Sequence, residues 1–205
     1  MKSAHFYSLS GWFEGCAFSN ASNWLQFSKT FFKLESFEIS ILNLLAENIW
    51  GTRNISGSTP YHNQLEIDLA KFHRREKGLI FTSAYVANQT TLATLCKRMS
   101  GIKVFSDQLN HASLIEGIKN SKADCSIFRH NDLDHLEELL KTTDKDRPKI
   151  IVFESLYSMD GTETNVSDYV RLAKKYGSLT YLDEVHAVGL YGDGGRGVAY
   201  KNGVS

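Results

Sequence analysis

The side chains best suited to chemistry lie in one short stretch, Asp183-Glu184-Val185-His186, which ends an apolar run that begins at Leu179. The length and composition of that run predict a buried strand. A carboxylate at the end of a buried strand loses its hydration and therefore needs a positive partner. A metal ion is one candidate partner, and a protonated ring nitrogen is another. The metal is the weaker alternative, because no third ligand follows Asp183 and His186 at a suitable spacing.

A second candidate strand, Lys103 to Ser106, leads into Asn110 and His111 just before a predicted helix. Asn110 or His111 is suited to cap that helix, because their side chains accept hydrogen bonds from backbone N–H groups. The alternative places the flat imidazole of His111 over a planar ligand at the edge of the sheet. The sequence leaves both interpretations open.

A third candidate strand, Ile150 to Glu154, ends in a carboxylate and is followed by Ser158 and Gly161. Gly161 permits a tight turn with positive φ. Ser158 offers a hydroxyl close to that turn. We therefore expect Glu154 and Ser158 to lie at the same edge of the sheet as Asp183, beyond the carboxyl ends of the strands.

A fourth candidate strand, Leu79 to Thr82, runs into Ser83-Ala84-Tyr85 and a predicted helix. Small residues at such a junction leave backbone N–H groups available, and the helix dipole favours an anion there. The segment is therefore a candidate phosphate site. Many α/β proteins have serine-rich junctions without a ligand, so that alternative stays open.

The elements that must position these residues alternate between strands and helices. The predicted strands are Leu79–Thr82, Lys103–Ser106, Cys125–Arg129, Ile150–Glu154 and Leu179–Asp183, and the predicted helices are His62–Lys77, Val86–Arg98, Ala112–Ser121, Asp132–Lys141 and Ser167–Tyr176. Apolar strands separated by helices predict a mainly parallel sheet with helices on both faces. In such sheets, ligands bind beyond the carboxyl ends of the strands.

The composition and the predicted elements divide the chain into two parts. Residues 1–50 contain one predicted helix at Leu34–Ile49, and residues 51–205 form a regular α/β region.

Lysine and arginine together number 23, as do aspartate and glutamate. This balance argues against nucleic acid or an anionic membrane surface as partner. No apolar run reaches the roughly 18 residues that a membrane helix needs. We expect a cytoplasmic protein, or a mitochondrial-matrix protein if the source is eukaryotic.

The stretch Gly192-Asp193-Gly194-Gly195-Arg196-Gly197 fits the dinucleotide-binding pattern G-x-G-x-x-G. That pattern is informative only directly between a strand and a helix and with an acidic residue further on. Neither condition is met here. We therefore predict a flexible surface loop.

Together these segments resemble the α-oxoamine synthases, which are pyridoxal-phosphate (PLP) enzymes of fold type I, and within them the 5-aminolevulinate synthases. The similarity lies in five ordered blocks, at residues 51–57, 106–117, 128–132, 153–161 and 181–192. The resemblance implies an α/β PLP-dependent transferase large domain. It implies pyridoxal 5'-phosphate as cofactor, glycine and succinyl-CoA as substrates, and a homodimer as the complete enzyme.

The resemblance also assigns roles to individual residues. Asp183 would pair with the pyridine nitrogen, His186 would reach the ring hydroxyl, and His111 would stack on the ring. The other cofactor contacts implied are Ser83, Ala84, Tyr85, Glu154 and Ser158, and the acyl-CoA contacts implied are Thr52, Asn54 and Ser106. The catalytic residues implied are thus His111 and Asp183, without a metal.

The sequence departs from the family in its lysines. The resemblance places the Schiff-base lysine beyond Ser205, and Lys201, the only lysine after Asp183, is expected to be a surface residue. Three alternatives stay open: an inactive portion of a 5-aminolevulinate synthase, a non-catalytic remnant of the fold, or a sister acyltransferase such as 2-amino-3-ketobutyrate CoA ligase.

Overall fold

The computed structural model describes residues 57–204. The predicted helix at Leu34–Ile49 and the predicted substrate contacts Thr52 and Asn54 lie outside the described residues. The helices are α1 Pro60–Phe72, α2 Ala84–Arg98, α3 Ala112–Ser121, α4 Leu133–Lys141, α5 Val166–Lys175 and α6 Val198–Lys201, and the strands are β1 Lys103–Asp107, β2 Asp124–Phe128, β3 Lys149–Glu154 and β4 Leu179–Asp183. A short 3-10 helix spans Asp193–Gly195.

The four strands form one parallel sheet in the order β2-β1-β3-β4. All four carboxyl ends therefore lie at the same edge. The register pairs Glu154 of β3 with Asp183 of β4. The prediction of a parallel sheet is confirmed, and the last residues of neighbouring strands become neighbours in space.

Helices cover both faces of the sheet, as predicted. Alternate residues of β3 point to opposite sides: Ile150 and Val152 pack in one buried cluster, and Ile151 and Phe153 pack in the other. The first cluster contains residues of α2 and α3, and the second contains residues of α4, α5 and α6. Burial on both faces explains why the strands are continuously apolar.

The bounds of the predicted helices hold within two residues, except for α1. That helix begins after the N-cap Thr59, which forms a capping box with His62, and it ends at Phe72 rather than at Lys77. The chain turns there because Arg74 adopts a left-handed conformation (φ 53°) and the Arg75 N–H donates to the Ala70 carbonyl. This is the hydrogen-bond pattern of a helix C-terminus.

The predicted strand over Leu79–Thr82 is wrong. No strand occupies this segment, and the Ile80 N–H donates to the Glu66 side chain (3.0 Å). Leu79 is also 65% exposed, whereas a strand inside a covered sheet would bury it. Apolar composition alone did not distinguish an extended connection from a strand, because strand formation depends on a neighbour with which to pair.

The glycine-rich stretch is a loop, as predicted. It follows a turn after β4 and leads into the four-residue helix α6. Its last residue, Gly197, is buried and has a φ of 101°. A Cβ at Gly197 would lie within 2.9 Å of the Glu184 carboxylate, so glycine is required there for close approach as well as for backbone conformation.

Candidate functional site

Three strands end in buried carboxylates: Asp107 on β1, Glu154 on β3 and Asp183 on β4. The sheet order places β3 between the other two, so Glu154 has an acidic residue on either side. Burial of several carboxylates is costly unless protons, hydrogen bonds or positive charges compensate. The way in which each acid is compensated defines the site.

Asp183 is buried and is held by neutral donors. Its Oδ2 accepts a hydrogen bond from the Asn88 Nδ2 (2.6 Å), and its Oδ1 accepts one from the Val185 N–H (2.8 Å). Within residues 57–204 no lysine or arginine forms an ion pair with this carboxylate. Burial raises the pKa of Asp183, whereas the two hydrogen bonds and the nearby His111 and His186 act in the opposite direction.

The cost of burying the Glu154 carboxyl is offset in a different way. Its Oε1 accepts a hydrogen bond from the His111 N–H (2.5 Å). Burial, reinforced by the negative charge of Asp183, raises the pKa of Glu154 from 4.5 to about 8. Asp183 accepts hydrogen bonds from two side-chain or backbone donors and Glu154 from one, so a positive charge placed nearby would favour the ionised form of Asp183.

The two predicted histidines lie near Asp183. A positive charge on either His111 or His186 lowers the pKa of Asp183, and both residues are exposed. His111 is also the N-cap of α3, since its Nδ1 accepts a hydrogen bond from the Ser113 N–H (3.2 Å). The capping role is thus confirmed. The ring of Tyr85 lies edge-on to the His111 ring, with centroids 6.2 Å apart.

The candidate phosphate site lies at the start of α2. Ser83 is its N-cap and accepts a hydrogen bond from the Val86 N–H (3.2 Å). The N–H groups of Ala84 and Tyr85 belong to the first turn, which has no preceding helical carbonyl to accept them. Asn88 lies about one turn further along the same helix and contacts Asp183. The helix therefore brings its N-terminus close to the buried acid.

The two remaining predicted serines differ in exposure. Ser158 is exposed in the turn after β3, where Gly161 adopts a φ of 71°, as expected for a tight turn. Ser106 is buried, and its Oγ accepts a hydrogen bond from the Asn110 Nδ2 (2.9 Å). The same amide also donates to the Val152 carbonyl (2.9 Å). The role of each serine in ligand binding stays a prediction.

Asp107 is satisfied within the protein. It accepts hydrogen bonds from the backbone N–H groups of Leu109 (2.9 Å) and Asn131 (3.0 Å), and its Oδ1 lies 2.9 Å from the His130 Nδ1. His130 is itself packed edge-on against the Tyr157 ring. Asp107 therefore fixes the turn between β2 and α4 and also contributes negative charge next to Glu154.

Glu184 anchors the chain that follows β4. It is almost fully buried, and its Oε1 accepts a hydrogen bond from the Ala199 N–H (2.9 Å) at the start of α6. Burial raises the pKa of Glu184 to about 7. Together with the close approach of Gly197, this contact holds the glycine-rich loop against the end of β4, next to Asp183 and His186.

Sequence reasoning missed Asn88, which contacts the central acid. A signal was present: Ala84, Asn88, Leu92 and Cys96 recur every four residues, and all four are buried. A single polar residue within an otherwise apolar helical stripe must find hydrogen-bond partners in the interior. It therefore marks a buried polar contact even before the partner is known.

The donor set is suited to a cationic ring better than to a metal. Asp183 is a fully buried acid compensated by neutral donors, and a nearby positive charge would favour its ionised form. The exposed imidazoles of His111 and His186 lie near it. In residues 57–204 no group of three or more His, Cys, Asp or Glu side chains is arranged to hold a metal ion. None of the helices in this part of the chain is long and apolar enough to span a membrane.

The chain matches known proteins over most of its length. Residues 33–201 match the family model described as aminotransferase class I and II. The 5-aminolevulinate synthase of Rickettsia bellii is 59% identical over 149 residues, covering 73% of this chain and 36% of that protein. The 5-aminolevulinate synthase of Paracoccus denitrificans is 54% identical over 155 residues, covering 76% of this chain and 38% of that protein.

A solved structure of a PLP-dependent enzyme has the same fold as this chain. Serine palmitoyltransferase of S. paucimobilis, with a bound PLP–myriocin aldimine, superposes with a TM-score of 0.74 and 30% sequence identity, covering 83% of this chain and 45% of that one. The resemblance to the 5-aminolevulinate synthases is thus confirmed, as is the PLP-dependent transferase fold. The chain spans little more than a third of the length of the curated relatives that it matches. With its parallel sheet and the extent of the family match, the chain belongs to the aminotransferase class I and II family.

Proposed function

We propose that this chain forms the ring-binding part of a PLP-dependent acyltransferase that condenses glycine with succinyl-CoA to give 5-aminolevulinate, CoA and CO2. The observation that carries the proposal is the fully buried Asp183, which has neutral donors on both oxygens and imidazoles nearby. The names of the relatives support the substrates.

When bound, PLP supplies an electron sink for the charge that develops on the α-carbon of an amino acid. The protein's contribution is to keep the ring nitrogen protonated. A carboxylate about 4 Å from a unit positive charge stabilises it by about 4 kcal/mol at an effective dielectric of 20. At 1.36 kcal/mol per tenfold change, this amounts to about a thousandfold preference for the protonated nitrogen. We propose that Asp183 provides it.

The remaining residues would hold the cofactor in place. His111 would lie on the ring face, and His186 would reach the ring hydroxyl. The first-turn N–H groups at Ser83-Ala84-Tyr85 would bind the phosphate, with Ser158 nearby. Glu154, whose pKa is raised to about 8, would lie beside the ring and add little negative charge there at neutral pH.

The finer parts of the proposal concern substrates, assembly and location. Thr52, Asn54 and Ser106 are proposed to contact the acyl-CoA, and the complete enzyme is proposed to be a homodimer. The division into a segment over residues 1–50 and a cofactor-binding region over residues 51–205 is likewise a proposal. A cytoplasmic location, or the mitochondrial matrix in a eukaryote, stays a prediction.

We also propose that residues 1–205 alone do not catalyse the condensation, because Lys201 is badly placed to form the Schiff base. Lys201 is exposed, as predicted, and its Nζ lies 2.8 and 2.9 Å from the two carboxylate oxygens of Glu163. It also lies over the ring of Tyr191. These contacts hold its ammonium group in a surface ion pair.

The central test is the protonation state of bound PLP. PLP labelled with ¹⁵N at the ring is added to the chain at pH 7.5, and its nitrogen chemical shift is measured by NMR. We expect a protonated nitrogen with the natural chain and with the control Asp193→Asn, whose side chain is 87% exposed. With Asp183→Asn we expect an unprotonated nitrogen. An identical nitrogen shift in all three proteins would refute the assignment of Asp183.

The substrate proposal needs a separate assay on the full-length reading frame. CoA release is measured with glycine and a series of acyl-CoA esters, and succinyl-CoA is expected to be the preferred donor. Preference for acetyl-CoA would instead favour the 2-amino-3-ketobutyrate CoA ligase alternative. The same assay on residues 1–205 should give no CoA release above the protein-free rate.

A further inference from the structure

Asn88 lies at the centre of a buried hydrogen-bond chain that the roles above do not use. It is 1% exposed on the inner face of α2. Its Nδ2 donates to the Asp183 Oδ2 (2.6 Å) and to the Ser113 Oγ (3.0 Å), and its Oδ1 accepts a hydrogen bond from the Tyr181 hydroxyl (2.9 Å). Three buried partners, two on β4 and one on α3, fix both the position and the orientation of this amide.

The series of hydrogen bonds continues from the Ser113 side chain to the His111 ring. The Ser113 N–H donates to the His111 Nδ1 (3.2 Å), and the Ser113 Oγ lies 2.8 Å from the same nitrogen. The backbone N–H can only donate, so this longer contact favours Nδ1 as an acceptor, and a Ser113 hydroxyl that donates over the shorter contact would hold the proton of the neutral ring on Nε2. The Ser113 hydroxyl, which accepts from Asn88, is then free to direct its own hydrogen to Nδ1.

We propose that Asn88 is a positioning residue that couples the carboxylate of Asp183 to the imidazole of His111 through Ser113, and so aligns the two groups that hold the cofactor ring. The inference rests on the proposed function for its purpose, but the coupling itself is a property of the chain without cofactor. One amide would set the direction of the Asp183 carboxylate and the tautomer of His111 together.

An amide is the side chain that this position requires. An aspartate would have the same size and would still accept from the Tyr181 hydroxyl, but it would lack both N–H donors and would place a second charge against Asp183. An alanine would leave the polar groups of Asp183 and Tyr181 with one partner fewer each. Asn88→Asp therefore removes the coupling at constant volume.

The test measures the His111 tautomer by long-range ¹H–¹⁵N NMR at a pH where the ring is neutral, in the absence of PLP. The proteins compared are the natural chain, Asn88→Asp, Ser113→Ala and the control Thr94→Ala, which changes an exposed position of the same helix. We expect the Nε2–H tautomer in the natural chain and the control. In Asn88→Asp and Ser113→Ala only the longer backbone contact still donates to Nδ1, so we expect the Nδ1–H tautomer to become partly populated.

PLP affinity gives the second readout. We expect the dissociation constant to rise about tenfold in Asn88→Asp and Ser113→Ala, the loss expected for about one hydrogen bond. A purely structural role for Asn88 would lower the melting temperature but leave the tautomer unchanged. A His111 ring that stays in the Nε2–H form in both variants overturns the proposal, whatever the affinity.

The two readouts also separate this inference from the proposed function. If the natural chain binds no PLP, the proposed function fails, while the tautomers of the cofactor-free proteins still decide the coupling. If Asn88→Asp does not fold, Ser113→Ala decides it alone, since that change removes a hydroxyl without adding charge.

Discussion

Replacing Glu154 with glutamine should stabilise the cofactor-free chain, because the native fold holds this carboxyl where its charge is poorly tolerated. Burial and the charge of Asp183 raise the pKa of Glu154 from 4.5 to about 8. A group whose pKa is higher in the folded state contributes stability below its unfolded pKa and loses it as the pH rises through its folded pKa. Glutamine keeps an oxygen that accepts the hydrogen bond from the His111 N–H, and it has no proton that dissociates as the pH rises.

The magnitude follows from the two pKa values. Each pH unit between about 5 and 8 costs the natural chain about 1.4 kcal/mol through Glu154. The glutamine variant should therefore gain about 3 kcal/mol over the natural chain at pH 7 and about 5 kcal/mol well above pH 8. At pH 4 the two proteins should have nearly equal free energies of unfolding.

Urea unfolding followed by circular dichroism at pH 4, 5, 6, 7 and 8 measures these differences. Glu137→Gln is the matched control, because the partly exposed Glu137 has a pKa lowered to about 2 by its hydrogen bonds to Lys175 and Tyr176. Its contribution is present above about pH 4.5 and is lost as the pH falls towards 2, so the control should lose stability at neutral pH and show no change of slope between pH 5 and 8. A Glu154→Gln protein that is less stable than the natural chain at pH 8 would refute the reasoning.

Three further substitutions test packing and the surface lysine. Gly117→Ala should destabilise by about 1–3 kcal/mol in urea unfolding, since its Cβ would lie 2.9 Å from the Asn88 carbonyl oxygen and force α2 and α3 apart. Gly197→Ala should cost a similar amount in thermal unfolding, since it combines positive φ with a Cβ 2.7 Å from the Glu184 carboxylate. Lys201→Ala should change stability by less than about 1 kcal/mol, and borohydride treatment with PLP should give no specific adduct at Lys201 by mass spectrometry.

For each of these three substitutions, one result would contradict the explanation given. Gly203→Ala has positive φ and open space around the new Cβ, so it controls for backbone strain at Gly197. Equal losses in the two variants would eliminate the contact with Glu184 as the cause. An unchanged Gly117→Ala protein would mean that α2 and α3 separate without cost. A single borohydride-stable adduct on Lys201 would contradict its assignment to the surface.

The sequence by itself determined the order of the elements and the residues at the strand ends. Continuous apolar runs such as Leu179–Asp183 can be buried on both faces, and helical spacing marks the connections between them. A parallel sheet then gathers the residues after each strand at one edge, which is why Glu154, Asp183 and His111 could be expected together. These inferences depend on patterns within a few residues of one another.

Only the tertiary structure decided which groups contact one another. Leu79–Thr82 has the composition of a strand, but a strand also needs a neighbour, and none pairs with it in the part of the chain described here. The register places Glu154 beside Asp183, whose negative charge raises the pKa of Glu154, and Asn88 meets Asp183 across 95 residues of sequence. Pairing, register and burial are long-range properties, because they depend on surfaces brought together only when the whole sheet and its covering helices have packed.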